Sequence, residues 1–350
     1  MNEQQFLDLL DSHLQILKQQ ERADIRRDFE EYFDNGRAEG KTTEEIIESF
    51  GNIEELAQEL LASYDEEDLS DAVSIVENDE LVPYSKVKID VEGVNVSIVP
   101  TDMKHAIIET KDKDNLTDAT MVIKNDTLIV KAVRQEQIRR FWFITIIGNL
   151  GKADVIVHLP KKQYEQIVID NTNGAIKVTD ALAKRFYMKS DNGRILTENI
   201  HGEMLDAYSD NSRVVLINTA ILNVKAGSSN GKVIAENVEA NHLQLESDNG
   251  HVEVKDVAGE INARSRNGRI IAQLKTVKHP LNFVTDNGSI SLKTVGKLEN
   301  VDMACTTRWG TVTIYNEQTT SYVHGSKDYP IKLKTSNGKI TVEEVVLQQQ

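Results

Sequence analysis

Cysteine, proline and aromatic residues are scarce in this chain of 350 residues, which has one cysteine, five prolines and 5% aromatic residues. The lone Cys305 cannot form an intramolecular disulfide, so the fold does not depend on an oxidising compartment. Hydrophobic residues make up only 39% of the chain. Such a composition favours a thin, elongated core over a large globular one.

Long hydrophobic stretches are missing as well. Residues 1–5 lack the basic region and the apolar run of a signal peptide, and no stretch approaches the ~18 apolar residues that a membrane-spanning helix needs. We therefore expect a soluble chain without a transmembrane segment, located in the cytoplasm and at most peripheral to the membrane. Display at the cell surface through non-classical export is the alternative.

The motifs of common enzymes and metal sites are also absent. The eight histidines are scattered, with no His-x-x-x-His pair, no Cys-His metal spacing and no Gly-x-Ser-x-Gly elbow. We predict no catalytic residue, no metal site, no cofactor and no enzymatic activity. A polysaccharide lyase is the one conceivable enzyme, and it would need clustered acids beside a lysine or arginine base.

Negative charge is concentrated at one end of the chain. Residues 1–80 hold 24 Asp and Glu against 6 Lys and Arg, a net charge of −18, whereas residues 81–350 hold 32 acids and 34 bases. The acidic segment should repel nucleic acid and anionic lipid, so we expect no nucleic-acid partner. It would attract a basic protein surface or a cationic peptide. A solvated helical surface without a partner is the alternative.

A Ser/Thr-x-Asn-Gly element repeats along the second half of the chain. The spacing between successive copies is 19, 19, 19, 19, 18, 20, 22 and 28 residues. A near-constant period indicates one supersecondary unit that is stacked many times. The turn positions are Gly174, Gly193, Ser212, Gly231, Gly250, Gly268, Gly288, Gly310 and Gly338, of which Ser212 and Gly310 belong to degenerate copies.

Apolar residues occupy fixed places around each turn, which predicts two short strands per repeat with one buried face each. A β-solenoid with coils ~4.8 Å apart fits this alternation, and so does a meander of Asn-Gly hairpins. The constant period favours a solenoid of about nine coils, because stacking in register requires equal coil lengths. The apolar columns are Ile176, Ile195, Val214, Val233, Val252, Ile270, Ile290, Val312 and Ile340, and Ile167, Phe186, Leu205, Val224, Leu243, Ile261, Leu281, Met303 and Ile331.

Four segments follow from these patterns. Residues 1–64 carry apolar residues at helical spacing and two capping boxes, at Thr42 and Asn52, and they predict an acidic helical bundle. Residues 65–82 read as an acidic linker with at most one helical turn. In residues 83–165 apolar and polar residues alternate with a period of two, which predicts a β cap. The pattern of residues 166–350 predicts the solenoid repeats.

The repeated turns have a structural interpretation. Asparagine tolerates left-handed backbone and glycine tolerates it better, which predicts structural turns at Asn192, Gly193, Asn230, Gly231, Asn249, Gly250, Asn267, Gly268, Asn287 and Gly288. The Ser/Thr column should supply hydrogen bonds between coils. A calcium ladder of Asp191, Asp210, Asp248 and Asp286 is the functional alternative, but the column is interrupted and the calcium nonapeptide is absent.

One segment departs from the repeat. Arg139, Arg140, Phe141, Trp142, Phe143 and Ile144 open a basic and then densely apolar run that ends at Ile147. This run is too short to span a bilayer, but an exposed cluster of this kind would insert at a headgroup interface or dock a membrane protein. A strand that covers the open end of the solenoid is the alternative. Trp309 replaces a turn asparagine and is interpreted as packing, and Cys305 as an inward core residue.

The N-terminal segment resembles the HAAS (DUF1700-like) helical domain of Firmicute envelope-signalling proteins. The similarity rests on Phe6-Leu7-Asp8-Leu9-Leu10, Asp28-Phe29-Glu30-Glu31-Tyr32-Phe33, Gly40 to Ile46, and Phe50-Gly51-Asn52-Ile53-Glu54-Glu55-Leu56-Ala57. Phe50 replaces the usual Leu of that pattern and Ile53 the usual Pro.

The rest of the chain resembles the DUF4097 "putative adhesin" β-strand-repeat family through Val94 to Pro100, Val155 to Lys162 and the Asn-Gly repeats. The two-domain combination is similar to YvlB-type and LiaX-type proteins. It implies a right-handed β-helix-like fold and a non-enzymatic role in a cell-envelope stress response, with a PspC-like or Lia-type membrane-associated partner. A surface-displayed adhesin or antimicrobial-peptide-binding module is the alternative function.

Overall fold

The computed structural model describes residues 2–14, 19–38, 40–61, 73–77, 83–112, 116–134, 138–141, 144–147 and 153–345. The chain divides into two compact units. One comprises Met1–Ser74, Lys111–Leu116 and Ile138–Gly151, and is called the helical unit; the remainder is called the solenoid unit. No helix among the described residues is long and apolar enough to cross a bilayer.

The described residues of the helical unit form four helices that pack around aromatic side chains. Phe50, which replaces the Leu of the family pattern, lies within 5.1 Å (ring centroids) of both Phe6 and Phe29, and Phe33 and Ile46 are fully buried beside them. Thr42 forms the predicted capping box with Glu45. The helices are α1 (Glu3–His13), α2 (Gln19–Ala38), α3 (Thr43–Ser49) and α4 (Ile53–Leu61).

Most strands of the solenoid unit pair in parallel with equivalent strands of the neighbouring coils, and two pairs of described strands are antiparallel. Its strands before the repeats are β1 (Val73–Glu77), β2 (Lys86–Glu92), β3 (Val94–Thr101), β4 (Ile107–Lys111), β5 (Thr117–Lys124), β6 (Thr127–Arg134) and β9 (Ala153–Pro160). Two further strands, β7 (Ile138–Phe141) and β8 (Ile144–Ile147), pair with each other in a separate two-stranded sheet. Strand β1 lies within the segment predicted as linker, where a helical turn was the only structure expected.

The repeats supply the remaining strands. They are β10 (Gln163–Asn171), β11 (Ile176–Thr179), β12 (Leu182–Ser190), β13 (Ile195–Glu198), β14 (His201–Ser209), β15 (Val214–Ser228), β16 (Val233–Ser247), β17 (Val252–Lys255), β18 (Ala258–Ser265), β19 (Ile270–Leu274), β20 (Leu281–Thr285), β21 (Ile290–Val295), β22 (Val301–Thr307), β23 (Val312–Ile314), β24 (Ser321–His324), β25 (Tyr329–Thr335) and β26 (Ile340–Val345).

The pairing excludes the meander and confirms the solenoid. Strand β12 pairs in parallel with β10 and β14, while β13, on the other side of the Asn192-Gly193 turn, pairs in parallel with β11 and β15. The turn therefore connects two different faces instead of two hydrogen-bonded partners. Predicted apolar columns stack in register, as in Val214, Val233 and Val252, and point into one continuous core. The right-handed sense of the coil stays a prediction.

Stacking order departs from chain order at both ends of the solenoid. Strands β25 and β26 lie between β20–β21 and β22–β23, so the Gly338 coil stacks directly on the Gly288 coil and the Gly310 coil lies outside it. At the other end β2 and β3 lie between β10–β11 and the outer strands β6 and β9. The coils of these end layers therefore do not follow one another in sequence order. Each penultimate layer is held by parallel pairing on both sides.

Candidate binding surfaces

The first corner of each coil is closed by the hydroxyl of the Ser/Thr column. The Ser247 hydroxyl donates to the carbonyl oxygen of Gly231 on the previous coil (2.9 Å) and accepts from the N–H of Gly250 (2.9 Å). Ser190, Ser265 and Thr285 repeat the arrangement, and all of these side chains are almost completely buried. The column therefore satisfies buried backbone groups between adjacent coils.

Replacing Ser247 with alanine should lower the free energy of unfolding by about 1–3 kcal/mol, because a buried carbonyl and a buried N–H lose their partner. Ser247→Thr should be close to wild type, since Thr285 fills the same position on its coil. Denaturant unfolding monitored by circular dichroism measures both values. Equal stability of the alanine variant and the wild type would contradict the hydrogen-bonding role.

The turn glycines are required for a reason other than the one predicted. Neither the turn glycines nor the asparagines that precede them have a positive φ. Among the described residues, the glycines with positive φ are Gly40, Gly51, Gly93, Gly259, Gly296 and Gly325. The explanation by left-handed backbone is therefore wrong for these turns. A Cβ atom on Gly250 would lie 1.9 Å from the carbonyl oxygen of Gly231, and one on Gly193 would lie 1.7 Å from that of Gly174. Close approach between coils therefore leaves no room for a side chain at Gly193 and Gly250.

The turn asparagines form a ladder on the outside of the first corner. Each side-chain amide donates to the amide oxygen of the previous coil at 2.7–2.9 Å, which is an arrangement known from stacked β-structures. An amide group has two N–H donors, and the ladder uses one of them. The ladder runs through Asn173, Asn192, Asn211, Asn230, Asn249, Asn267, Asn287 and Asn337.

A second asparagine ladder was not foreseen. Asn199, Asn218 and Asn237 each donate to the residue one coil earlier, the first of which is Asp180, at 2.9–3.2 Å. These residues have φ between 49° and 55°, as residues at a sharp left-handed corner do. The recurrence of asparagine and aspartate at a 19-residue spacing could have indicated this ladder. These residues are not followed by glycine, so the Asn-Gly motif did not include them.

The short strands present a basic column beside the first ladder. Arg194, Arg213, Lys232, His251 and Arg269 each follow the turn position on five successive coils, and all five side chains point away from the core. The register is held by the backbone: the N–H groups of Ile195 and Val214, for example, donate to the carbonyls of Arg213 and Lys232. Successive members therefore lie about 4.8 Å apart.

The helical unit presents an acidic surface around one aromatic residue. Tyr32 is 51% exposed although its ring centroid lies 5.0 Å from that of Phe50. Asp28 and Glu31 are exposed on the same helix, one turn before Tyr32 and next to it. Neither carboxylate forms an ion pair with any residue in the described part of the chain.

Comparison with known proteins identifies both parts of the chain. The Toastrack DUF4097 family matches residues 84–343, which is well over half of the sequence. The chain belongs to the Toastrack DUF4097 family. A HAAS domain matches residues 5–59. A Toastrack region joined to a HAAS domain indicates a binding or signalling protein. No curated protein is found to match the chain.

Several solved structures are distantly similar. A "putative adhesin" from Bacteroides fragilis NCTC 9343 is 15% identical, covers 78% of this chain and 98% of its own, and has a TM-score of 0.38. A "putative adhesin" from Parabacteroides distasonis ATCC 8503 is 13% identical, covers 79% and 98%, and has a TM-score of 0.37. A "putative cell adhesion protein" from Clostridium sporogenes ATCC 15579 is 11% identical, covers 79% and 100%, and has a TM-score of 0.27.

Two of the four aspartates in the Asp column of the Toastrack repeats form ion pairs. Lys189 pairs with Asp191 at 3.3 Å and Arg266 with Asp248 at 3.3 Å. Within the described ranges, no group of three or more His, Cys, Asp or Glu side chains is arranged to hold a metal ion. Asp191 and Asp248 are thus paired with neighbouring bases.

A groove of about 280 Å³ lies beside the first Toastrack coils. Its wall contains Pro100, Leu182, Asp180 and Tyr164. The ammonium group of Lys162 lies 4.0 Å from the ring centroid of Tyr84 and 5.0 Å from that of Tyr164, and it donates to the Tyr84 carbonyl. Burial lowers the pKa of Lys162, and burial raises the pKa of the Tyr164 hydroxyl. The pair of rings holds this lysine as part of the Toastrack fold.

Two single residues have different outcomes. Trp309 is 69% exposed on the outermost coil, so its interpretation as a packing residue is wrong. Cys305 is 4% exposed on an inward column, where burial raises the pKa of its thiol to about 12. A thiol of that pKa remains protonated at neutral pH and is unreactive.

The apolar run predicted as a membrane or partner contact falls only partly within the described residues. Arg139, Arg140 and Phe141 lie in β7 and Ile144 in β8, while Trp142 and Phe143 lie outside the described residues. Among the described strands β7 and β8 pair only with each other. This pair of strands belongs to the helical unit, and its role as a contact or as a capping strand stays a prediction.

Proposed function

We propose that this protein is a non-enzymatic adaptor of a bacterial cell-envelope stress response, in which the helical unit docks a basic, membrane-associated partner and the solenoid serves as scaffold. The observation that carries the proposal is the segregation of charge. Residues 1–80 have a net charge of −18, while residues 81–350 hold 32 acids and 34 bases. A HAAS domain match over residues 5–59 supports a signalling role for the same region.

Tyr32 supplies the anchor of the proposed docking surface. Exposed aromatic residues contribute much of the binding energy of protein interfaces when they become buried. The contact with Phe50 restricts the Tyr32 ring, so little conformational freedom would be lost on binding. Asp28 and Glu31 place beside it two carboxylates that form no ion pair with the described residues. Together they favour a partner that offers lysine or arginine next to an apolar residue.

The acidic surface determines how the partner approaches. Opposite charges mainly raise the association rate and lose their effect as salt is added. A basic cytosolic tail of a membrane protein, such as a PspC-like or Lia-type protein, has the required chemistry, and a cationic peptide shares it. The run from Arg139 to Ile147 would add an apolar contact that salt does not weaken.

The test is capture from membrane extracts by the immobilised full chain. We expect enrichment of a membrane protein with a basic cytosolic tail, and we expect the Asp28→Asn/Glu31→Gln and Tyr32→Ala variants to lose most of it. Raising the salt concentration toward 1 M, where the Debye length is about 3 Å, should also weaken capture. Glu343→Gln/Glu344→Gln, a matched loss of two exposed charges on β26, should capture normally. A Trp142→Ser/Phe143→Ser chain tests the apolar run.

Two outcomes would contradict the proposal. Unchanged capture by a chain that lacks residues 1–80 would exclude the acidic unit as the docking element. Binding of a cationic peptide without any membrane protein would replace the adaptor by a free-standing ligand-binding module. If the Glu343→Gln/Glu344→Gln control also lost capture, the loss in the Asp28→Asn/Glu31→Gln variant would reflect the total charge of the protein and not a specific surface.

A further inference from the structure

The basic column of the Toastrack unit carries positive charge that its surroundings leave unbalanced. Arg194, Arg213 and Arg269 are exposed and form no ion pair within the described part of the chain. Lys232 alone pairs with an acid, Glu253, at 2.9 Å. At the corner nearby, Asp191 and Asp248 pair with Lys189 and Arg266 instead. Three guanidinium groups therefore remain available to a ligand.

The asparagine ladder adds hydrogen-bond donors along the same line. On each of these coils the turn asparagine lies two residues before the basic residue, as Asn192 does before Arg194 and Asn230 before Lys232. The second N–H of each exposed amide is not used by the ladder. A ligand on this strip therefore meets donors at every coil, and arginine forks match the paired oxygens of phosphate.

The strip is one residue wide on each coil. Its five members span about 19 Å along the coil axis at ~4.8 Å per coil. The next outward positions are aliphatic on four coils, Leu196, Val215, Ile234 and Ile271, and the fifth is Glu253, which pairs with Lys232. The column after those holds Glu198 and Glu236. A flat anionic surface would meet these two acids, whereas a single extended chain along the axis would not. The geometry thus favours a linear polyanion.

The strip lacks groups that stack on nucleic-acid bases. No aromatic residue occurs among the outward positions of the short strands from Arg194 to Gln273. Proteins that bind single-stranded nucleic acid rely on aromatic side chains for base stacking. His251 does not substitute, because its Nδ1 accepts from the backbone N–H of Arg269 at 3.0 Å. Phosphate chemistry without bases fits the strip best.

We infer that the Toastrack unit binds a linear phosphodiester polymer without aromatic groups, laid along the basic column of Arg194, Arg213, Lys232, His251 and Arg269. Three free guanidinium groups spread over five coils suit phosphates separated by a short alcohol linker, since directly linked phosphates would exceed the charge that the strip can neutralise. The inference concerns a different surface from the acidic helical unit, and it does not depend on the proposed adaptor role.

The test uses the full chain and fluorescently labelled poly(glycerol phosphate), with binding followed by anisotropy across a salt series. The Arg194→Gln/Arg213→Gln/Arg269→Gln variant should bind about tenfold more weakly or worse. The slope of log affinity against log salt should fall by about 2, as expected for three lost phosphate contacts on a single chain. Lys225→Gln/Lys332→Gln/Lys334→Gln removes the same charge from the long-strand face, where all three lysines are exposed, and should bind like the wild type.

Folding and alternative ligands are controlled in the same experiment. The triple Arg→Lys variant keeps the charge and should retain most of the binding, and thermal unfolding checks that every variant is folded; Arg213→Gln alone serves if the triple variant is not. An equal loss in the long-strand control would overturn the inference in favour of non-specific attraction. Equal affinity for monomeric glycerol phosphate would exclude the linear strip, and tighter binding of oligothymidylate would exclude the preference for a polymer without bases.

Discussion

Replacing Val233 with aspartate should destabilise the solenoid by more than about 4 kcal/mol, because the carboxylate would be buried without a partner. Val233 has no exposed surface and lies between Val214 and Val252 in a column of parallel coils. Neither neighbour can supply a hydrogen bond or an opposite charge. Protonation of the aspartate would remove the charge but still leave a polar group in an apolar column.

The matched control for this change is Lys225→Asp. Lys225 is exposed on the neighbouring long strand, so the same side chain would remain in water and change stability by roughly 0.5 kcal/mol or less. Denaturant unfolding of both variants, followed by far-UV circular dichroism, measures the difference. Similar stability of Val233→Asp and Lys225→Asp would mean that the column does not face a closed core.

Replacing Gly250 with alanine should cost about 3 kcal/mol or more, because the added methyl group overlaps the neighbouring coil. Its Cβ would lie 1.9 Å from the carbonyl oxygen and 2.4 Å from the carbonyl carbon of Gly231, and both atoms belong to a hydrogen-bonded backbone. The coils would have to move apart locally. Core packing on either side resists that movement.

A second substitution separates this explanation from backbone strain. If Gly250 were needed for a left-handed backbone, Gly250→Asn would be tolerated, since asparagine adopts that conformation readily. Close approach predicts that asparagine is at least as damaging as alanine. Gly296 supplies the opposite case: its φ is +74° and an added Cβ would have no neighbouring atom within 4 Å, so Gly296→Ala should cost only about 1 kcal/mol. Thermal unfolding of the three variants distinguishes the explanations, and a mild effect of Gly250→Asn would refute the steric one.

The sequence alone identified much of this architecture, because the core residues of a solenoid recur in the sequence with a period equal to the coil length. Val214, Val233 and Val252 recur at the coil length, and alternation assigns each to the buried face of a strand. The helical bundle was predictable for a similar reason, since helical spacing and the Thr42 capping box are local signals. Both parts of the fold class are confirmed by the strand pairing and by the family matches.

The sequence also located the turns but did not explain them. An Asn-Gly pair is typical of left-handed corners, so Asn249 and Gly250 suggested backbone strain. Only the stacked structure shows that Gly250 approaches the backbone of another coil and that Asn249 bonds to Asn230. Both contacts join residues 19 apart, and no local rule contains them. The second ladder and the basic column were not predicted for the same reason, because their members are also separated by about one coil length in the sequence.

Long-range packing alone decided the order of the end layers. The spacing widens to 22 and 28 residues before Gly310 and Gly338. An inserted loop outside the solenoid would explain this change, and a stacking order that differs from the chain order would explain it equally well. Strand β25 fits between β20 and β22 because its apolar residues Ile331 and Leu333 match both neighbours in register. Periodicity determined which residues are buried in this protein, and only tertiary pairing decided which coils touch, because hydrogen bonds between parallel strands do not depend on chain order.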